Sequence, residues 1–344
     1  MTVRHSLAWF GILMPLALAS GVPTAAAQQK TLDLVKARGQ LNCGVNTGLA
    51  GFSQPDDKGD WRGLDVDVCR AIAAAIFKDA TKVKFVPLTA KERFTALQSG
   101  EVDLLSRNTT WTMSRDTTLG LSFAGVTYYD GQSFLVKASL GVKEVKDLAG
   151  ASICVQTGTT NELNLADFFR SNGLTYYPVV FEKNDEAVAA YNTGRCDAYT
   201  TDKAGLFAER LKLGRQDEHV IFSDVISKEP LGPAVRQGDA QWLNVVRWTL
   251  NAMLNAEEMG VTKANAQEML ASPRPDIKRL LGKEGSFGKG LGVDDDWAFQ
   301  IVSQVGNYGE SFERNLGKGS RLGIDRGLNA LWKNGGLHYA APIR

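Results

Sequence analysis

From residue 39 onward the apolar positions of the chain pass twice through the same succession of periods. Gly39-Gln40-Leu41-Asn42-Cys43-Gly44-Val45 and Gly150-Ala151-Ser152-Ile153-Cys154-Val155-Gln156 each leave a glycine for a short apolar run, with a cysteine four residues after the glycine. Both read as the opening strand of a unit. After the first, Val68, Ala71, Ile72, Ala75 and Ile76 fall at i, i+3, i+4, i+7 and i+8, which predicts a core-facing amphipathic helix over 64–77. A strand over 83–88, a helix over 91–98 closed by Ser99-Gly100, and a strand over 102–106 complete a β-α-β-α-β unit. The second unit is expected as a strand over 152–156, a helix from about 161 to 170, a strand over 176–181, a helix over 185–192 followed by Gly194, and a strand over 196–200. Such alternation predicts parallel sheets in an α/β protein.

The echo extends to the third strands, where Gly100-Glu101-Val102-Asp103 parallels Gly194-Arg195-Cys196-Asp197. Five residues past each aspartate lies a polar position, Asn108 in one unit and Asp202 in the other. Open α/β sheets bind ligands beyond the carboxyl ends of their strands, so both residues are expected in a cleft between facing units. Connections between the units are visible at 128–132 and 229–233. Two crossings imply a discontinuous first lobe, residues 28–130 and 231–284, and a second lobe over 134–228. A long helix over 240–258 returns to the first lobe, and residues 285–344 form an additional helical region rich in Gly and aromatics.

Composition narrows the class. Of 344 residues 44% are apolar and 22% charged, which excludes a disordered chain, and 39 Lys+Arg against 38 Asp+Glu excludes a basic nucleic-acid-binding domain. Arg4 and His5 precede the uncharged stretch Leu7 to Ala19, and Ala25-Ala26-Ala27 follows. Residues 1–27 are therefore expected to be a cleaved secretory signal, leaving an exported, soluble, neutral chain. No cysteine directly follows the apolar run, which argues against a lipid anchor.

Four cysteines in an exported protein are expected to pair. If each unit has strand order 2-1-3, Cys154 and Cys196 lie on adjacent strands, leaving Cys43 to reach Cys69 on the first helix. Each bridge is expected to contribute roughly 3 to 4 kcal/mol in the loop-entropy model. A metal site is disfavoured, since there is no C-x-x-C and the histidines are only His5, His219 and His338.

Catalytic signatures are absent: no G-x-S-x-G, H-E-x-x-H, phosphate-binding loop or dinucleotide fingerprint occurs. What remains is a polar cluster, residues 106–115, directly after a predicted strand. Thr112 reads as a helix cap, placing Arg115 in a first helical turn where the helix dipole disfavours a cation. A bound anion resolves that conflict, and a solvated surface pair is the alternative. In the second unit Thr159 and Glu162 have capping-box spacing, and backbone N–H groups there suit a carboxylate; a simple helix start is the alternative. Asp202 is either a turn former or an acceptor for an ammonium.

Through Gly63-Leu64-Asp65-Val66-Asp67, Gly100 to Asp103, Asn108-x-Thr110-x4-Arg115, Thr157-Gly158-Thr159-Thr160 and Gly194-Arg195-Cys196-Asp197-x4-Asp202, the sequence resembles the periplasmic solute-binding proteins of polar amino-acid ABC transporters, family 3. The resemblance covers residues 30 to 282. Gly306-Asn307-Tyr308-Gly309-Glu310 and Gly327 to Trp332 resemble the general L-amino-acid-binding subgroup. It implies a two-lobed type II periplasmic-binding-protein fold with a hinge, and a C-terminal helical extension. It further implies a monomeric receptor that hands free L-amino acids to an inner-membrane permease and uses no cofactor. By position, Arg115 would pair with the ligand α-carboxylate, helped by Thr110 and Thr160, while Asp202, Asn108 and Thr110 would take the α-ammonium. Leu49, Phe52, Arg93, Arg107 and Asn184 would surround the ligand side chain. Leu49 stands where cation-binding relatives carry an aromatic, and Arg93 matches a position that contacts acidic side chains. Two other classes share parts of this pattern: a prephenate- or arogenate-type dehydratase, for which Asp202 is the one spare carboxylate expected in the pocket, and a sensor module, for which no output segment is visible.

Overall fold

The computed structural model describes residues 1–3 and 30–344, so all but the first three residues of the expected signal lie outside the described residues. Two five-stranded sheets organise the chain. The first has the order Val83–Pro87, Leu41–Val45, Leu104–Leu105, Ala234–Arg236, Leu121–Phe123. The second has the order Tyr177–Phe181, Ser152–Gln156, Ala198–Asp202, Gln132–Lys137, His219–Ile221. The 2-1-3 order holds in both. The wholly parallel expectation does not, because in each sheet the three parallel strands are extended by antiparallel ones. Gln132–Lys137 and Ala234–Arg236 enter their sheets straight from a crossing, without the crossover helix that a parallel neighbour needs.

The predicted helix over 64–77 is present as Leu64–Phe77, and the helix over 240–258 as Ala240–Met259. Gly63 has φ 134°, and a Cβ there would lie 2.0 Å from the Phe52 carbonyl oxygen. A glycine is thus required for the loop carrying Phe52 to lie against the helix start. The strand expected over 102–106 is regular only at Leu104–Leu105, although Asp103 N–H to Asn42 O and Ser106 N–H to Gly44 O continue the ladder on either side.

Period-two alternation divides the second unit's interior. Ile153, Val155, Phe134, Val136 and Ala198 pack on one face with Leu165 and Phe169, while Cys154, Leu135 and Tyr199 pack on the other with Tyr191 and Leu206. Both disulfides form as expected, Cys43 with Cys69 and Cys154 with Cys196, each inside one unit.

Residues 285–344 are helical in part, but they are not appended to the fold. Trp297–Gln304 packs on Leu64–Phe77 and Ala240–Met259, and Ala298, Ile301, Val302, Phe312 and Leu316 are fully buried in the first unit's core. Ser311, Arg314 and Asn315 all donate to the Asp67 carboxylate, which fixes this region to the start of the first long helix. Among the described residues no helix is long and apolar enough to cross a membrane.

The crossings lie side by side. Tyr128–Asp130 pairs antiparallel with Glu229–Leu231, so both connections between the sheets run through one two-stranded ribbon.

Candidate functional site

The loops beyond the carboxyl ends of the strands face each other across the two units and enclose a small cavity. Leu49, Phe52, Arg93, Arg107, Asn108 and Thr110 line it from the first unit, and Thr159, Thr160, Asn184 and Asp202 from the second. Every residue expected at the site is therefore on this wall except Arg115. Arg115 is buried beside it: Nη1 donates to the Thr110 carbonyl at 2.8 Å, and its guanidinium lies 5.2 Å from the Phe94 ring centre. The cavity volume is ≈ 20 Å³. That is room for about one water, so anything the size of an amino acid enters only if the walls move apart.

Local sequence explains each placement. Thr112 Oγ1 accepts the Arg115 N–H at 3.3 Å, the cap expected at the start of Met113–Thr117. Asn108 has φ 37°, a left-handed conformation in which Asn is favoured; its N–H donates to Asp65 Oδ2 at 2.7 Å and its Oδ1 accepts from Asn46 Nδ2 at 3.0 Å. Thr159 caps Thr160–Ser171 by accepting the Glu162 N–H at 3.2 Å, while Glu162 reaches back to the Gly158 N–H at 3.0 Å. Asp202 is the last residue of its strand, and its Oδ1 accepts from Asn161 Nδ2 at 2.9 Å.

Charge in the site is concentrated and buried. Burial pushes the Arg93 guanidinium well down from its usual value, with repulsion from Arg107 and Arg115 adding to it. Arg107 is lowered to about 10, again chiefly by burial. The Arg93 Nε is buried without a partner. Opposite these cations, burial pushes the Asp202 carboxyl well above its usual range, and Glu229 and Asp130 raise it further by repulsion. Asp130 is raised to about 7 by burial, and Asp65 to about 7 for the same reason. A pocket with guanidinium groups on one side and a carboxyl on the other is complementary to a zwitterion.

Several wall residues carry no signal of their own in the sequence: Gln156, Asn161, Thr201, Gly205 and Leu231 also line the cavity. Gln156 and Asn161 flank the Thr157-Gly158-Thr159-Thr160 motif, so the motif's neighbourhood was the available clue. Glu229 is the larger omission. Read as part of a connector, it is in fact fully buried beneath the cavity and accepts from Thr110 Oγ1 at 2.6 Å and Thr160 Oγ1 at 2.8 Å. Asp202 is thus not the one spare carboxylate near the pocket. A hydroxyl has a single proton, and Thr110 and Thr160 direct theirs to Glu229 while Thr159 donates to the Gln156 carbonyl at 2.7 Å. The donors left to the cavity are consequently guanidinium groups, backbone N–H groups and the Nδ2 amides of Asn108 and Asn184, whose Oδ1 atoms alone are engaged.

Comparison with known proteins identifies the family of the chain. The chain is 60% identical over 325 residues, 94% of its length and 95% of the other's, to the general L-amino acid-binding periplasmic protein AapJ of Rhizobium johnstonii. It is 54% identical over 338 residues, 98% and 99% of the two chains, to the glutamate/glutamine/aspartate/asparagine-binding protein BztA of Rhodobacter capsulatus. Both are named as binding proteins, not as enzymes. A periplasmic binding protein from Brucella ovis, solved with glutathione bound, superposes with a TM-score of 0.90 at 63% identity, covering 92% of this chain and 99% of that one. Residues 41–265 match the family model of the bacterial extracellular solute-binding proteins, family 3, and the chain belongs to that family.

Proposed function

We propose that the protein is the periplasmic receptor of an amino-acid ABC transporter, which captures free L-amino acids of several kinds and delivers them to a membrane permease without chemically altering them. One observation carries the assignment: an enclosed site between two sheets, with Arg93 and Arg107 on one side and Asp202 on the other, in a chain 60% identical to a general L-amino acid-binding protein. A zwitterion needs a cation and an anion at fixed separation, and each charge-assisted contact contributes about 1.5 to 3 kcal/mol. Arg115 takes the α-carboxylate after a small reorientation past Thr110, with backbone N–H groups at the start of Thr160–Ser171. Asp202 and the lone pairs of Thr110 face the α-ammonium. Leu49, Phe52, Arg93, Arg107 and Asn184 surround the side chain.

Delivery requires the site to open. The lobes meet through the ribbon of Tyr128–Asp130 and Glu229–Leu231, and bending beside it separates the walls without breaking either core. The receptor acts as a monomer after removal of residues 1–27. Isothermal titration against the twenty free amino acids tests the assignment. Several ligands are expected to bind with unit stoichiometry and to come off unchanged. Absence of binding across the whole set would overturn it.

A further inference from the structure

We propose that Glu229 is a latch between the two units: a positioning residue that touches no ligand and sets how long a bound one is retained. The proposal rests on the receptor function above and adds a part to it. Glu229 lies on the crossing ribbon, opposite Asp130 in the register, and its side chain is fully buried. Oε2 accepts from Thr110 Oγ1 at 2.6 Å, a residue of the first unit, and from Thr160 Oγ1 at 2.8 Å, a residue of the second. Oε1 accepts from Asn164 Nδ2 at 2.7 Å, also in the second unit, and from Ser227 Oγ at 2.8 Å. Four donors from both sides of the cleft therefore converge on one carboxylate.

These contacts do not respond alike to opening. Thr110 is tied to the ribbon by its bridge to Leu231 and by the Trp111 N–H, which donates to the Pro230 carbonyl at 2.8 Å. The first-unit contact thus travels with Glu229. Thr160 and Asn164 lie one turn apart at the start of Thr160–Ser171, whose hydrophobic face is packed into the second unit's core. When the units part, these two bonds break together, and Glu229 loses half its donors at the moment the cavity opens. Hydrogen bonds to a charged, desolvated group are the strong class, so their loss opposes opening. Because the bonds form only when the walls meet, the effect falls on release and not on encounter.

The test is stopped-flow measurement of L-glutamate and L-alanine binding to the full chain, comparing wild type with Glu229→Gln and Asn164→Ala. Asn164 lies outside the cavity wall, so its replacement cuts the latch on the second-unit side without altering the pocket surface. The dissociation rate is expected to rise roughly tenfold in E229Q and about threefold in N164A for both ligands, with association rates within about twofold of wild type. Dissociation rates unchanged in folded N164A would overturn the latch, as would a loss confined to the thermal stability of the ligand-free protein. If wild type binds neither, the same comparison is made with an amino acid that the twenty-member titration shows to bind; absence of binding across that whole set overturns the receptor assignment and the latch with it.

Discussion

The side-chain amide of Asn329 pairs with the backbone of Tyr129 in both directions: its Oδ1 accepts the Tyr129 N–H at 2.7 Å, and its Nδ2 donates to the Tyr129 carbonyl at 3.1 Å. A residue near the C-terminus thus completes the hydrogen bonding of the ribbon that joins the units. Two neighbours strengthen the attachment. Tyr308 donates its hydroxyl to the Thr127 carbonyl at 2.7 Å, and Tyr128 packs against Phe312 on one side and the cavity residue Phe52 on the other. The C-terminal region is therefore part of the framework on which the ribbon rests.

Asn329→Ala removes both hydrogen bonds to the half-buried Tyr129 backbone, a cost of about 0.5–1.5 kcal/mol for each. The expected outcome is a melting temperature lowered by several degrees, read by circular dichroism, with the same order of ligand preferences as wild type. A melting temperature equal to that of wild type would show that water or a shifted loop replaces the amide.

Binding should release a proton. Burial and the neighbouring carboxylates push the Asp202 carboxyl well above its usual range in the closed site, which favours its protonated form there. A ligand ammonium favours the ionised form, and the proton therefore leaves on binding. Affinity should rise with pH up to that raised value and fall as the solution is made more acidic. Titration at one pH in phosphate and in Tris checks this: the observed enthalpies should differ by the difference in buffer ionisation enthalpy, and Asp202→Asn should abolish the difference. Equal enthalpies for the wild type would mean that Asp202 does not change protonation.

The arginines should separate by the kind of loss they cause. Arg115→Ala is expected to weaken glutamate, alanine, leucine and histidine by similar factors, because all share the α-carboxylate; Arg115→Lys should also weaken them, since an ammonium lacks the planar fork. Arg93→Ala should penalise glutamate more than alanine or leucine, because its guanidinium lines the cavity as a second cation that only an acidic side chain would engage. A titration panel over the four ligands distinguishes these patterns. A uniform loss from Arg93→Ala would remove it from the side-chain pocket.

The disulfides should contribute to stability but not to hinge bending, since each closes within one unit. Replacing Cys154 and Cys196 together by serine is expected to cost roughly 2–4 kcal/mol of stability. Denaturant unfolding measures that loss, and small-angle scattering should show the same ligand-induced contraction as in wild type. A changed contraction would indicate that the second unit deforms during closure.

What the sequence determined by itself is the local structure and its repetition. The spacing of Val68, Ala71, Ile72, Ala75 and Ile76 located Leu64–Phe77 to the residue, and the apolar run after Gly150, echoing the one after Gly39, located Ser152–Gln156. Both are short-range signals, since a helix or strand writes its own period into the residues that face the core. The doubled Gly-x-x-Asp pattern also marks Asn108 and Asp202 as corresponding positions of the two units. The tertiary structure alone decided which groups meet. Arg115 carries the signal of an anion site yet turns beside the cavity wall to Thr110, and residues 285–344, legible only as a helical addition, complete the first core. Glu229 sits among Pro and Gly in a connector with no periodicity to mark it. Its function as an acceptor depends on Thr110, 119 residues earlier, and Thr160, 69 residues earlier, arriving from opposite units. Hydrogen bonds across such separations are set by how the cores pack and where the chain crosses between them, and nothing within a few residues of Glu229 encodes either.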